Sequence, residues 1–296
     1  MTEPFQKDDE FLRDLNASNP GPDHFSLWWL AQMGYLLQWR GHRLLLDPYL
    51  SDSLTHKYAT TDKPHVRMTG RVVAPDRLTG IDGITASHIH TDHLDSETLR
   101  PLAAANPGVR LVCPEAIRAT ARERSGLSDD RILGLDCADP SSAVTAGCAS
   151  RITVGAFEIE AVPAAHERLD RDAHGRLIAV GWIVRFGGWT VYHSGDTVPY
   201  PGMEALLKPH RIDLALLPIN GRKPERRVSG NLWGREAASL SKNLGVRCVI
   251  PGHYDLFEFN TESPDEFIVT CQTLDQPFAV LRNGQRWESS SLVQHS

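Results

Sequence analysis

The segment SHIHTDHLD, residues 87–95, places His88, His90, Asp92 and His93 within six consecutive positions. It continues GITAS (83–87), a short apolar run that reads as a strand. Residues i and i+2 of an extended chain share a side, so His88 and His90 can reach one point as the strand ends. Asp92 and His93 come after the chain has turned. A solvated polar loop has no reason to crowd three imidazoles and a carboxylate so closely. The set suits a divalent cation, with nitrogen and oxygen donors. Four donors from one loop do not close well around one ion, so further donors must arrive from elsewhere. That demand constrains how the chain folds.

Three positions meet the demand. His166 follows FEIEAVPAA, Asp196 follows WTVYHSG, and His253 follows RCVIPG. Each stands just past an apolar strand, where folds of this kind assemble sites. Asp47, in LLLDPYL, also ends a strand. It reads either as an acceptor for a ligand imidazole or the histidine loop, or as a turn former before Pro48. His193 shares the strand end of Asp196 and reads as a supporting or packing residue. The segment INGRKPERRVSGN (219–231) carries Arg222, Lys223, Arg226 and Arg227. Arg222 is the candidate contact for a substrate anion, with Asn220 and Tyr254 as hydrogen-bonding candidates. A solvated basic loop is the plainer alternative.

Residues 1–23 are polar, end in NPGPD and read as an N-terminal arm. FSLWWL, GYLLQW and HRLLLDPYL then suggest a meander of strands, followed by a loop over 51–80. Helices are expected at 96–105, 114–126, 202–208, 233–244 and 264–276, with strands at 109–113, through 131–194, at 212–219 and at 247–251. FAVLRNGQRWE (278–288) reads as strand and turn. The Trp28-Trp29 pair reads as packing rather than a ligand platform. This order suits one α/β domain over 24–296, with two packed sheets and helices outside.

Composition narrows the partners. Of 296 residues, 41% are hydrophobic and the net charge is −6, which argues against a broad footprint for nucleic acid or an anionic membrane. The five cysteines include no CxxC pair, so neither a disulfide framework nor a thiolate zinc site is expected. No secretory signal is visible, and FSLWWLAQMGYLLQW is too short and interrupted to span a bilayer. A cytoplasmic setting is the expectation, and a homo-oligomer is allowed.

His88-Ile89-His90-Thr91-Asp92-His93 forms an HxHxDH motif, and the later motifs centre on His166, Asp196 and His253. In these features the chain resembles the metallo-β-lactamase-fold hydrolases. The stretches FSLWWLAQMGYLLQ, TASHIHTDHLD, VYHSGDT, LALLPINGR and VIPGHYDLF are similar to the L-ascorbate-6-phosphate lactonase group. The resemblance runs from about residue 24 to 262. It implies an αββα sandwich with mixed sheets and the site at one edge. It also implies that His88, His90 and His166 hold one ion, that Asp92, His93 and His253 hold a second, and that Asp196 bridges them. Manganese or zinc, or iron, suits such ligands, with one or two ions bound.

The expected activity is hydrolysis of an ester or lactone of a small anionic substrate, such as a sugar-phosphate lactone. A metal-bound hydroxide would attack, and Asp92 would orient it and carry the proton. A phosphodiesterase or phospholipase D-like enzyme shares SHIHTDHLD and GDT, but would want a membrane-facing apolar surface. A non-catalytic metal protein would want a closed coordination shell, against which the surplus of donors argues. A di-iron redox centre would want an electron carrier.

Overall fold

The apolar runs near the N-terminus form strands because they are buried on both faces. They are β1 (Ser26–Ala31), β2 (Gly34–Trp39) and β3 (His42–Leu46). Alternate side chains leave a strand on opposite sides. Leu27, Trp29, Leu37, Leu44 and Leu46 enter a central core, whereas Trp28, Leu30, Leu36 and Leu45 enter an outer one. The Trp28-Trp29 pair is thereby split across the sheet. Trp28 meets Phe11 edge-on at 6.5 Å, and Trp29 stacks on Tyr254 at 4.4 Å.

The computed structural model describes residues 1–137 and 150–295, so Cys148 lies outside the described residues. Four strands complete the first sheet: β4 (Gly83–Thr85), β5 (Arg110–Pro114), β6 (Ile132–Leu135) and the late β13 (Arg286–Glu288). The order is β13-β1-β2-β3-β4-β5-β6, parallel from β3 onward. The second sheet holds β7 (Arg151–Val154), β8 (Phe157–Pro163), β9 (Val180–Phe186), β10 (Trp189–His193), β11 (Leu214–Pro218) and β12 (Cys248–Gly252). Its order is β12-β11-β10-β9-β8-β7, with β10, β11 and β12 parallel. Trp182, Val184, Val191, Leu214 and Leu216 meet the inner side chains of β1 to β3 in the central core.

Helices cover the outside. The chain-order set is α1 (Asp8–Ala17), α2 (Ser53–Tyr58), α3 (Ser96–Ala105), α4 (Arg118–Ser125), α5 (Met203–Leu207), α6 (Gly234–Leu244) and α7 (Asp265–Thr273). α1, α3 and α4 bury Phe11, Leu15, Leu99, Leu102 and Ala121 against the outer core of the first sheet. α6 turns Ala237, Ala238, Leu240 and Leu244 toward the second sheet, and its N-terminus is closed by Glu236 accepting from Trp233 N at 2.9 Å. The layers are therefore helix, sheet, sheet and helix. Among the described residues no helix is long and apolar enough to cross a membrane.

Three expectations need correction. Residues 1–23 are not a separate arm: α1 docks through Phe11 and Leu15, and Asp14 accepts from Trp28 Nε1 at 2.8 Å. Two apolar side chains four residues apart suffice to dock a helix, and the surrounding charges hide them. The 51–80 loop contains α2, and of 278–288 only the last three residues form a strand. Phe11→Ala should cost about 3–5 kcal/mol of stability by opening a cavity beneath α1. Urea unfolding followed by tryptophan fluorescence checks this; an unchanged midpoint would mean that α1 is not part of the cooperative unit.

Candidate metal centre

Five strand ends meet at one edge of the sandwich. Asp47 follows β3, the histidine loop follows β4, His166 follows β8, Asp196 follows β10 and His253 follows β12. The backbone here is strained. Asp47 has φ 41°, His253 φ 60° and Gln32 φ 49°, a left-handed region that side chains with a Cβ rarely occupy. Gly195 adopts φ 59°, and a Cβ there would lie 2.7 Å from Ser87 Cβ, so only glycine lets the β10 loop approach the histidine loop.

The donors fall into two groups. Ring nitrogens of His88, His90 and His166 lie within 4.8 Å of one another, as do donor atoms of Asp92, His93 and His253. Asp196 reaches both: its Oδ2 is 3.8 Å from His166 Nε2 and 3.5 Å from His253 Nε2, and its Oδ1 is 3.4 Å from His93 Nε2. A third clustering, Asp47 with His88 and His93, is of another kind. Asp47 Oδ2 accepts from His93 Nδ1 at 2.8 Å and from Ser87 Oγ. Its Oδ1 accepts from Ser87 N at 3.0 Å and Thr85 Oγ1 at 3.1 Å. With its oxygens so occupied, Asp47 orients His93, leaving Nε2 bare.

The donor set fits divalent ions. His88 Nε2, His93 Nε2 and Asp196 Oδ1 are buried and have no hydrogen-bond partner among the described residues. Buried polar atoms are ordinarily paired, and a cluster of unpaired lone pairs is what a cation would satisfy. The ligands lack thiolate, so their chemistry admits manganese, zinc and iron.

The charges are set by the same packing. Burial pushes the His88 imidazole well down and the His166 imidazole down to about 4, so both are neutral. Burial opposes the charged form of His253 too, but Asp196 and Asp92 outweigh it and raise the pKa to about 9. His93 is held well up by Asp196 and Asp92 against the same burial. Burial works against ionised Asp92 and Asp196, yet His93 and His253 keep both carboxyls well below the usual range.

His193 is committed elsewhere: Nε2 donates to Met33 O at 2.7 Å and Nδ1 accepts from Gly195 N at 3.2 Å. It holds the Gly195-Asp196 turn. Sequence reasoning missed three supporting residues. Gln32 Nε2 donates to Asp92 Oδ2 at 2.9 Å from the β1–β2 turn. Ser87 joins Asp47 to the His88 ring, its Oγ lying 3.0 Å from Nδ1. Arg124 clamps the histidine loop through the carbonyls of Ile89 and Leu94 at 2.6 and 3.1 Å. A buried glutamine in the apolar stretch LAQMGY was the one available signal.

A cleft of about 460 Å³ opens onto His90, Asp92, His166, Asp196 and His253. Its walls carry Lys57, Tyr58, His65, Arg124, Arg227, Phe257, Phe259 and Asn260. The three substrate candidates read from sequence are not among its lining residues. Arg222 makes a two-pronged pair with Glu236 at 2.6 Å for each contact. Asn220 is fully buried and donates to Asn260 Oδ1 at 3.0 Å. Tyr254 donates to Leu281 O beneath Trp29. Each side chain is used by the fold, which sequence position could not show.

Residues 42–254 match the family model of the beta-lactamase superfamily domain. The chain belongs to the beta-lactamase superfamily. A UPF0173 metal-dependent hydrolase of Caldivirga maquilingensis is 26% identical over 241 residues, covering 81% of this chain and 87% of that protein. Igni18, a metallo hydrolase of Ignicoccus hospitalis, superposes with TM-score 0.61 at 20% identity, covering 90% of this chain and 98% of its own. CmlA, a diiron β-hydroxylase of Streptomyces venezuelae, superposes with TM-score 0.63 at 16% identity, covering 91% of this chain and 55% of its own. At such identities the two structures establish the fold alone.

Two outcomes follow from this geometry. Asp47→Asn should lower metal affinity about 10–100-fold, because His93 loses its orienting carboxylate; titration calorimetry against zinc and manganese measures it. Without metal, His253 holds a proton up to about pH 9, and an ion must displace it. A raised pKa makes the proton the stronger competitor as pH falls. Metal affinity should therefore climb as pH rises toward about 9, with protons released to buffer. Uptake with no buffer-dependent heat would contradict this.

Proposed function

We propose that this protein is a metal-dependent hydrolase that opens an ester or lactone bond of a small anionic substrate. The observation that carries the reading is the pairing of two donor groups, bridged by Asp196, at the floor of an open cleft. A cleft of this volume is of small-molecule size. The relatives described as metal-dependent hydrolases support the same class.

The residues divide the work. His88, His90 and His166 would hold one ion, and Asp92, His93 and His253 the other, with Asp196 between. When bound, such ions supply Lewis acidity and lower the pKa of a coordinated water toward about 7. Asp92 is the residue to which this reading gives proton handling. Gln32 pins its Oδ2, while Oδ1 has no protein partner among the described residues. Oδ1 takes the proton of the attacking water as the new bond to the acyl carbon forms. The same proton passes to the leaving oxygen as the ester bond breaks, so the products are acid and alcohol.

The cleft walls support an anionic substrate. Among the described residues Lys57 has no carboxylate partner and Arg124 donates only to carbonyls. Arg227 is paired with Asp62 at the rim. Lys57 and Arg124 thus replace Arg222 as the groups offered to a phosphate or carboxylate, as on a sugar-phosphate lactone. Manganese or zinc is the proposed cofactor, and iron fits the donors as well.

Metal analysis joined to a panel of lactones, phosphodiesters and amides tests the class. Turnover of phosphodiesters alone would replace the ester reading. His90→Ala should fold, lose bound metal and lose at least about a hundredfold in activity. Retained activity would sink the site. Lys57→Ala should raise KM for a phosphorylated lactone about tenfold, a loss of roughly 1.4 kcal/mol, and change a neutral lactone little. Equal effects would remove Lys57 from substrate binding.

A further inference from the structure

The cleft contains polar groups that neither the metal ligands nor the proposed hydrolysis employ. His65 stands in its wall, held between aromatic rings. It stacks on Tyr58 at 4.3 Å with an interplanar angle of 17°, and meets the edges of Phe259 at 4.5 Å and Phe257 at 5.1 Å. Its Nδ1 lies 3.2 Å from Lys63 O. A carbonyl only accepts, so Nδ1 bears the proton and Nε2 offers a lone pair. Burial lowers the pKa of His65, which keeps the ring neutral. Nε2 has no protein partner among the described residues, and His65 lines the cleft.

Asn260 stands beside Phe259 in the same wall. Its orientation is fixed from behind by a chain of amides. Asn231 Nδ2 donates to Asn220 Oδ1 at 3.0 Å, and Asn220 Nδ2 donates to Asn260 Oδ1 at 3.0 Å. Arg226, which can only donate, approaches the same Oδ1 at 3.5 Å. The Nδ2 of Asn260 is left as a donor with no protein partner among the described residues. One wall therefore offers a fixed acceptor and a fixed donor, both flanked by aromatic surface.

We infer that this wall recognises hydroxyl groups of a polyhydroxylated substrate, His65 Nε2 accepting from one and Asn260 Nδ2 donating to one. A hydroxyl both donates and accepts, so adjacent hydroxyls can satisfy both groups without adding charge. The aromatic flanks of Tyr58 and Phe259 suit the carbon skeleton of a polyol. Packing alone would be met equally by phenylalanine at position 65. A site built to bond a hydroxyl discriminates strongly against the analogue lacking it, because its polar groups are then left unpaired. Asn220 takes part only through Asn260, as a positioning residue.

The inference rests on the cleft being the substrate site, and its test does not require turnover. The probes are L-threonate and butyrate, four-carbon carboxylates with and without hydroxyls, titrated calorimetrically into metal-loaded protein. Wild type should bind threonate at least about tenfold more tightly. His65→Phe keeps the ring and removes the acceptor. Asn260→Asp keeps the acceptor that faces Asn220 and removes the donor. Each should erase most of that preference, read as the ratio of the two affinities, while metal content and melting temperature stay unchanged. Butyrate affinity should hold in His65→Phe, whereas the charge added by Asn260→Asp weakens both carboxylates alike. Preference that survives in both variants, or no preference in wild type, overturns the inference. A hydroxyl preference without hydrolysis of any ester would uphold the wall and overturn the proposed reaction instead.

Discussion

The hydrogen bond from His93 to Asp47 ties the site to the fold. Asp47 ends β3 in the left-handed region, and His93 stands beyond the end of the neighbouring β4. Their contact is fully buried, and Ser87 and Thr85 fill the remaining lone pairs of the carboxylate. A buried carboxylate is costly unless several donors reach it, and here four arrive from one short stretch. That compensation holds the histidine loop in one conformation. It also fixes which nitrogen of His93 faces Asp196 and Asp92. The strain at Asp47 is tolerated because the network around it is saturated.

Much of the site was legible because ligand chemistry has a one-dimensional signature. HxHxDH lies in a single loop, and His166, Asp196 and His253 each follow an apolar strand. The parallel arrangement of β3 with β4, and of β10 with β11 and β12, brings their C-terminal ends to shared edges. The strands themselves were legible from continuous apolar runs, since burial on both faces removes the polar alternation. Substrate groups were not legible. Whether Arg222 is available depends on Glu236, whether Asn220 is available depends on Asn260, and Tyr254 depends on Leu281. Such pairings are tertiary and leave no trace in spacing. Gln32 escaped notice for a related reason: one amide in an apolar turn announces burial and not its partner.

The fold itself supports more than one chemistry, as its likeness to both a metallo hydrolase and a diiron β-hydroxylase shows. In this chain the wall of the cleft is assembled from segments distant in sequence. Segments from α2, from the 224–229 loop and from 257–260 meet there, tied by Lys63 to Glu225 O at 2.7 Å and by Arg227 to Asp62. These contacts join stretches far apart in sequence into one collar. The collar walls the cleft whose floor carries His90, Asp92, His166, Asp196 and His253.

The donors of each group come from more than one strand end, and the two sheets both contribute. His88 and His90 hang from the first sheet while His166 hangs from the second; Asp92 and His93 belong to the first while His253 belongs to the second. An ion held this way spans the seam of the sandwich. Fraying one loop would leave the donors of the opposite sheet in place. An ion bound by either group would therefore tie the two sheets together at this edge, and its binding free energy would add to the cohesion of the domain.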